Sequence, residues 1–468
     1  MSLPNGPQTP AFLQFVKWII TPLSFQDECV KKYGDIFTLK FDKNTPPLVV
    51  VSNPQALQTI LTHDTKELTA PGELNQAFSL LLGNNSVITL SGAEHQRQRQ
   101  LLMPALHGER MKNYTDIINN ITTEVINQQP INQPFSARLL TQNITLKVIM
   151  SAVFGLKEGL RSQKLEELIK EILDQGTSLF SAILLHIPAL QQSIGNLSLW
   201  GKQVERQEAI NQIIYTEIQE RRNKLDTSKN DIFTLLLQAQ DEQREIMTDV
   251  EIRDELITLL TAGHETTATA LAWALYWIYK NPQILEKLRA EIDNLPDNTD
   301  INTIFKLPYL NAVYCETLRI YPVGMSTFPR QVEKPINIGG YELEKGTIVM
   351  GSIYLTHHRE DIYPQPDKFQ PERFLEKQFS PYEFLPFGGG ARRCIGLAFA
   401  QMEMKLAIFQ IVKNWELELI DNREILPQRR GLTIGQNREI NMLLKGRRSS
   451  VHQNLQIDNN QNQLINLT

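Results

Sequence analysis

Apolar positions along this chain recur mostly with the period of a helix, and the strict alternation of a half-buried strand is short and rare. Helical patterning dominates between about residues 90 and 320, whereas strand-like runs are confined to residues 35–41, 48–52, 336–338, 347–352 and 416–419. The pattern predicts a mainly α fold with small β-sheets. The longest helix begins at Thr248, where Thr248 and Glu251 form an S/T-x-x-E capping box, and runs to Lys280 before Asn281-Pro282 ends it. At 1.5 Å per residue that helix is about 50 Å long, enough to cross a whole domain. Its middle departs from the pattern. Thr261-Ala262-Gly263-His264-Glu265-Thr266-Thr267 puts a helix-weakening glycine, an acid and several hydroxyls where a traversing helix should be apolar.

No Gly-, Pro- or Ser-rich linker and no repeat interrupts the chain, so residues 1–448 read as a single catalytic domain. Residues 449–468 turn to Asn and Gln without apolar periodicity and read as a disordered polar tail. With 468 residues, 41% hydrophobic and a formal net charge of -5, the chain can bury a large core and shows no bias toward polyanions. A globular cytoplasmic enzyme is expected, and a nucleic-acid binder is excluded. Cys29, Cys315 and Cys394 are too few and too scattered for a disulfide framework or a zinc site. The apolar stretch at residues 11–23 is interrupted by Gln14, Lys17 and Pro22, and a spanning helix needs about 20 mostly apolar residues. No transmembrane anchor is expected there, nor a secretory signal. A buried first helix is the simpler reading, with peripheral membrane contact through Phe12, Phe15, Trp18 and Ile19 as the other.

Candidate chemistry concentrates in Phe387-Gly388-Gly389-Gly390-Ala391-Arg392-Arg393-Cys394-Ile395-Gly396, followed by a helix from near Leu397. Three glycines allow positive φ and a close approach to a flat partner, while a helix N-terminus and adjacent arginines favour a thiolate at Cys394. A lone cysteine is more often a small buried hydrophobe. Here F-x-x-G-x-R-x-C-x-G surrounds it, and the segment resembles the cysteine-ligand loop of the cytochrome P-450 family of haem-thiolate monooxygenases.

The resemblance implies haem b held through Cys394, with dioxygen as co-substrate and electron density pushed onto iron to favour O–O cleavage. It implies that Phe387 and Gly388 lie against the haem, and that Arg99, Arg330 and Arg392 meet its two propionates, arginine being suited to them by its forked donors. His95 stands where many members carry Trp, so a propionate hydrogen bond and an ordinary histidine both remain open. Glu316-x-x-Arg319 is followed by Tyr321-Pro322, by Pro371-Glu372-Arg373-Phe374 and then by the cysteine loop, in the family's order. Three other Glu-x-x-Arg matches, at Glu94/Arg97, Glu158/Arg161 and Glu286/Arg289, lack that context. A buried, structural Glu316-Arg319-Arg373 cluster is implied, and His358 is read as structural too. Ala262-Gly263-His264-Glu265-Thr266 resembles the family's oxygen-activation motif: Thr266 would hold a proton relay, Glu265 would feed it, and Gly263 would leave space beside the dioxygen.

Substrate contacts are expected from residues 71–82, 259–266, 323–328 and 432–434, with Leu74, Phe78, Leu81, Leu82, Leu260, Val323, Met325 and Leu432 as an apolar wall. The implied reaction inserts one oxygen atom into a lipophilic substrate, a long-chain fatty acid before a terpenoid. Electrons would come from a separate ferredoxin and its reductase or a similar donor, docking near Arg97, Lys112, Arg392 or Arg393 on a monomer. Two rivals are a haem-thiolate isomerase or dehydratase of lipid hydroperoxides, against which Glu265-Thr266 argues, and a haem-based gas sensor without turnover.

Overall fold

In the computed structural model, the structure describes residues 3–448 apart from 43–44, 65, 156–158, 177–198, 225, 227–229, 297–298 and 421–422; the polar tail lies outside the described residues. Helices dominate, with small sheets at their margins. The organising element is the helix Asp249–Lys280, 32 residues long, which starts at the expected capping box. Thr248 Oγ1 accepts from the Glu251 N–H, and the Glu251 carboxylate accepts from the Thr248 N–H. Almost its whole second half is buried, including Trp273, Tyr276 and Ile278. It packs against the helices Ala137–Ile149 and Leu397–Asn414, the second of which follows the cysteine loop. Its C-terminal half, apolar on nearly all sides from Ala268 to Tyr279, runs through the large core.

The largest sheet has five strands in the order Ile36–Leu39, Leu48–Val51, Ile348–Gly351, Arg330–Val332 and Leu68–Thr69. Leu48–Val51 and Ile348–Gly351 pair in parallel, with Val49 opposite Val349, and the other pairs are antiparallel. All five strand-like runs of the sequence become strands within a residue or two of their expected bounds. Leu68–Thr69 and Pro134–Ser136, of two and three residues, are too short to show alternation and are not foreseen by the pattern. The hairpin Pro427–Arg430/Thr433–Gln436, also unpredicted, matters most for the site, because Gln436 Nε2 donates to Thr269 O at 3.1 Å and fastens it to the long helix.

The first helix, Ala11–Ile20, buries Gln14, Trp18 and Ile19 and leaves Phe12, Leu13 and Ile20 exposed. Trp18 and Ile19 are therefore core residues and not part of an exposed apolar face as the membrane reading had them. Among the described residues no helix is long and apolar enough to cross a membrane.

Candidate functional site

The cysteine loop is held from behind by groups distant in sequence. Gly388 and Gly390 both take φ +66°, a left-handed conformation that glycine adopts without steric cost. The Cys394 N–H donates to Phe387 O at 3.0 Å and closes the loop. Close packing explains Gly389 and gives Gly390 a second reason: a Cβ on Gly389 would stand 2.7 Å from Leu61 Cδ1, and one on Gly390 2.4 Å from Asp64 Oδ2. Asp64 accepts the Ala391 N–H at 2.7 Å and takes both sides of the Arg330 fork, at 3.0 and 2.9 Å.

Arg330 also donates to Phe328 O and Gly389 O, is fully buried, and does not line the cavity. In this arrangement its charge is matched by Asp64, and four of its five N–H groups meet protein acceptors. Arg392 lines the cavity but donates to the carbonyls of Ala70, Val87, Ile88 and Leu90, so its fork too is occupied by protein acceptors. Burial first, and then the neighbouring Arg330 charge, together lower its pKa to about 10.

Cys394 presents free surface to this cavity while sitting deep in the protein. Burial raises its thiol above the ordinary value, and the Gly396 N–H and the charges of Arg99 and Arg393 pull it back only in part. The loop N–H and the nearby arginines thus act toward a thiolate as expected, with burial the larger opposing influence. Deprotonation would come with coordination, since a metal deprotonates a bound thiol outright. Arg99 and His95 share the helix Gly92–Leu102 at i,i+4 spacing and both line the cavity. Among the described residues neither side chain has a hydrogen-bond or ion-pair partner. Burial, then the Arg392, Arg99 and Arg330 charges, lower His95 to about 4, so it is a neutral imidazole at physiological pH.

On the long helix the motif divides between two faces. Ala262, Gly263 and Thr266 open onto the cavity, and Thr266 Oγ1 donates to Ala262 O at 2.5 Å. His264 sends its side chain to the neighbouring helix, whereas Glu265 also lines the cavity while its carboxylate is held by that helix. Thr145 Oγ1 lies 2.8 Å from His264 Nδ1, and the Glu265 carboxylate accepts from Arg138 at 2.9 Å, Gln142 at 3.0 Å and Thr269 at 3.4 Å. Gly263 has a second reason to lack a side chain: a Cβ there would stand 3.0 Å from Ile149 Cδ1, where the two helices approach. Arg138 and Asp64, unmarked by any motif, are the partners the sequence did not reveal.

Glu316, Arg319 and Arg373 meet in the interior. Glu316 accepts from Arg319 at 2.7 and 2.9 Å, from Arg373 at 3.1 Å and from the Gln370 N–H at 2.8 Å. The other motif matches behave differently. Arg97 pairs with Asp241 and Glu251, Arg161 with Glu217 and Glu220, and Arg289 with Glu416; Glu158 lies outside the described residues. His358 Nδ1 is 2.9 Å from Tyr354 O, away from the cavity wall.

The cavity has a volume of about 1440 Å³, with Cys394, Phe387 and Gly388 on one side and Ala262, Gly263 and Thr266 among the residues of the long helix. Leu74, Phe78, Leu81, Leu82, Val323, Met325 and Leu432 line it as expected. Leu260 does not: it is 5% exposed and packs in the core. Helical phase is the reason, since Leu259, Ala262, Gly263 and Thr266 share one face at spacings of three and four, and Leu260 is turned about 100° from Leu259.

The family profile described as Cytochrome P450 matches residues 4–443. The chain belongs to the cytochrome P450 family. The provisionally named cytochrome P450 135A1 of Mycobacterium tuberculosis is 34% identical over 416 residues, 89% of this chain and 89% of that protein. The provisionally named cytochrome P450 135B1 of Mycobacterium bovis is 33% identical over 418 residues, covering 89% and 86%. In fold, this cytochrome P450 is similar to a retinoic acid-bound cyanobacterial CYP120A1, with a TM-score of 0.81, 24% identity and coverage of 95% of this chain and 100% of that one. It is also similar to a cytochrome P450DA haem domain, with a TM-score of 0.78, 22% identity and coverage of 95% and 98%. Family membership makes the protein a monooxygenase-type oxidoreductase that carries haem and uses dioxygen. The cavity suits that group: a soft sulfur ligand, a glycine-rich loop beside it, and an unpartnered arginine and a neutral histidine on the same wall.

Proposed function

We propose that this cytochrome P450 hydroxylates a long-chain fatty acid, working as a single haem domain over residues 1–448 with electrons from a separate ferredoxin-type carrier. The observation that carries the reading is the cavity itself, with Cys394 on one wall, Thr266 on the long helix and an apolar lining from Leu74, Phe78 and Leu82 through Val323 and Met325 to Leu432. Haem b, when bound, supplies the redox-active iron at which dioxygen is reduced, and a thiolate ligand favours O–O cleavage. Cys394 is that ligand. Arg99 and His95 would hold the propionates, because they share one helix at the wall and have no protein partner among the described residues.

Thr266 spends its only O–H on Ala262 O, which leaves its oxygen lone pairs directed to the cavity as acceptors. It takes up a proton there and passes one on by rotating its hydroxyl. Glu265 feeds that relay only after leaving Arg138, since the ion pair holds its carboxylate toward the neighbouring helix. The apolar wall orients a flexible chain with few polar contacts and keeps water from the proton path. For carrier docking, Arg393 and Lys112 are exposed, whereas Arg97 and Arg392 are committed to internal partners and drop out of the expected patch. Exposed Phe12, Leu13 and Ile20 support peripheral membrane contact by a cytoplasmic monomer.

The test is a panel of long-chain fatty acids and neutral terpenoids titrated into the haem-loaded enzyme and read by spin-state shift. Long-chain acids shift the spectrum at the lowest concentrations on this account. Terpenoids shifting it while fatty acids do not would overturn the substrate class.

A further inference from the structure

The hairpin Pro427–Arg430/Thr433–Gln436 brings two arginines to the cavity wall, and they are not equivalent. Successive residues of a strand point to opposite faces. Arg430 lies over Gly435 and donates from Nε to Gln436 O at 2.6 Å. Arg429 has no such partner. Its Nε is sealed from solvent without any acceptor, and its Nη2 reaches only the thioether of Met325, 3.9 Å away and a weak acceptor at best. The other nearby polar group is already used: Gln26 donates to the same Met325 sulfur at 3.7 Å and accepts from Ser352 Oγ at 2.6 Å. Among the described residues no carboxylate pairs with Arg429.

A half-buried guanidinium whose Nε is sealed from solvent without a counter-charge is costly to keep, and the fold elsewhere shows how it satisfies one. Arg330 turns the same edge, Nε and Nη2, to the two oxygens of Asp64. Arg429 offers that edge with no protein acceptor on it, beside Met325, Leu432 and Trp18 on the wall of the cavity. Burial lowers its pKa to about 10, which leaves it charged at neutral pH.

We propose that Arg429 receives the carboxylate of a lipophilic acid through its Nε/Nη2 edge, and so sets the register of the acyl chain along the cavity. The inference rests on the fatty-acid reading above and adds the group that recognises the acid. A planar monoanion fits better than a phosphate ester, because one guanidinium cancels one charge and a dianion would leave a net negative charge among apolar side chains. With its head fixed, a chain of given length brings a limited set of carbons to the reacting centre; without the anchor, the chain slides.

The experiment compares the haem-loaded wild type with Arg429→Leu and Arg429→Lys by calorimetric titration. The probes are palmitic acid, a terpenoid carboxylic acid and the methyl ester of each, with product positions read for palmitic acid. Expected are tighter binding of acid than ester in the wild type, and acid binding about 10- to 100-fold weaker in Arg429→Leu. Ester binding stays unchanged, Arg429→Lys recovers part of the loss, and Arg429→Leu spreads hydroxylation over more carbons. An acid preference that survives Arg429→Leu, or acid and ester binding alike in the wild type, overturns the anchor. An Arg429-dependent preference for the terpenoid acid over palmitic acid supports the anchor and overturns the fatty-acid reading. No binding by any probe overturns both.

Discussion

Replacing Arg99 and Arg330 separately by leucine distinguishes an arginine kept for the cofactor from one kept for the fold. Arg99 lines the cavity with no protein partner, and burial lowers its pKa, with the Cys394 charge as the main opposing influence. Arg99→Leu therefore strands no buried anion and removes only its charge-assisted bond to a propionate, worth about 1.5–3 kcal/mol. Haem transfer to an excess of apomyoglobin should run about 10- to 100-fold faster, with the urea midpoint of the haem-free protein unchanged or slightly raised. Arg330→Leu has the opposite profile. Asp64, 8% exposed, keeps the Ala391 N–H but loses a two-point ion pair, and breaking a buried pair from one side costs about 3–5 kcal/mol. The haem-free protein should then unfold at clearly lower urea. Equal haem retention in Arg99→Leu and wild type, or an unchanged urea midpoint in Arg330→Leu, would refute this division of roles.

Three further outcomes are expected. Thr266→Ala removes a hydroxyl whose one protein bond is to Ala262 O, so haem loading and substrate binding should persist while electrons divert to hydrogen peroxide, measured as peroxide formed per reducing equivalent; fully coupled turnover would count against the relay. Leu260→Ala should cost about 2–5 kcal/mol of stability in urea unfolding and leave fatty-acid affinity in place, because the residue faces the core and not the cavity. His264 is lowered to about 3 by burial and then by the Arg138 charge, so the unfolded chain binds its proton first. Its contribution is whole above the unfolded value near 6.5 and is lost as pH falls toward 3, on the order of a few kcal/mol. His264→Gln should flatten the acid limb of a stability profile between those values.

What could be read from the sequence were features made of residues close together in it. The capping box at Thr248 and Glu251 marks the start of the long helix because both halves of the signal fall within one turn. The loop from Phe387 to Gly396 is contiguous, and its glycines carry their reason in the backbone conformation they adopt. Glu316 and Arg319 could be singled out from three look-alike pairs only through the order of neighbouring motifs, and they alone join each other among the described matches. What stayed hidden depends on pairing across the chain or on helical phase. Asp64 has no local signature, yet it ties Arg330 to the loop backbone at Ala391. Arg138 reaches Glu265 from another helix and changes what that acid is free to do. Leu259 and Leu260 are equally apolar in sequence, and only the turn of the helix decides which one lines the cavity. Arg429 sits in a short polar strand where the sequence shows no sign that its fork lacks an acceptor.

The central claim is that the Cys394 thiolate would hold the haem iron. It is tested most directly by the absorption spectrum of the reduced carbonyl complex in the wild type, Cys394→Ala and Cys315→Ala. Cys315 is the matched control, a thiol that burial pushes up to about 12 in the core beside the Glu316 cluster. The account predicts the strongly red-shifted Soret band of thiolate ligation in the wild type and Cys315→Ala, and its loss in Cys394→Ala. An intact red-shifted band in Cys394→Ala would contradict it.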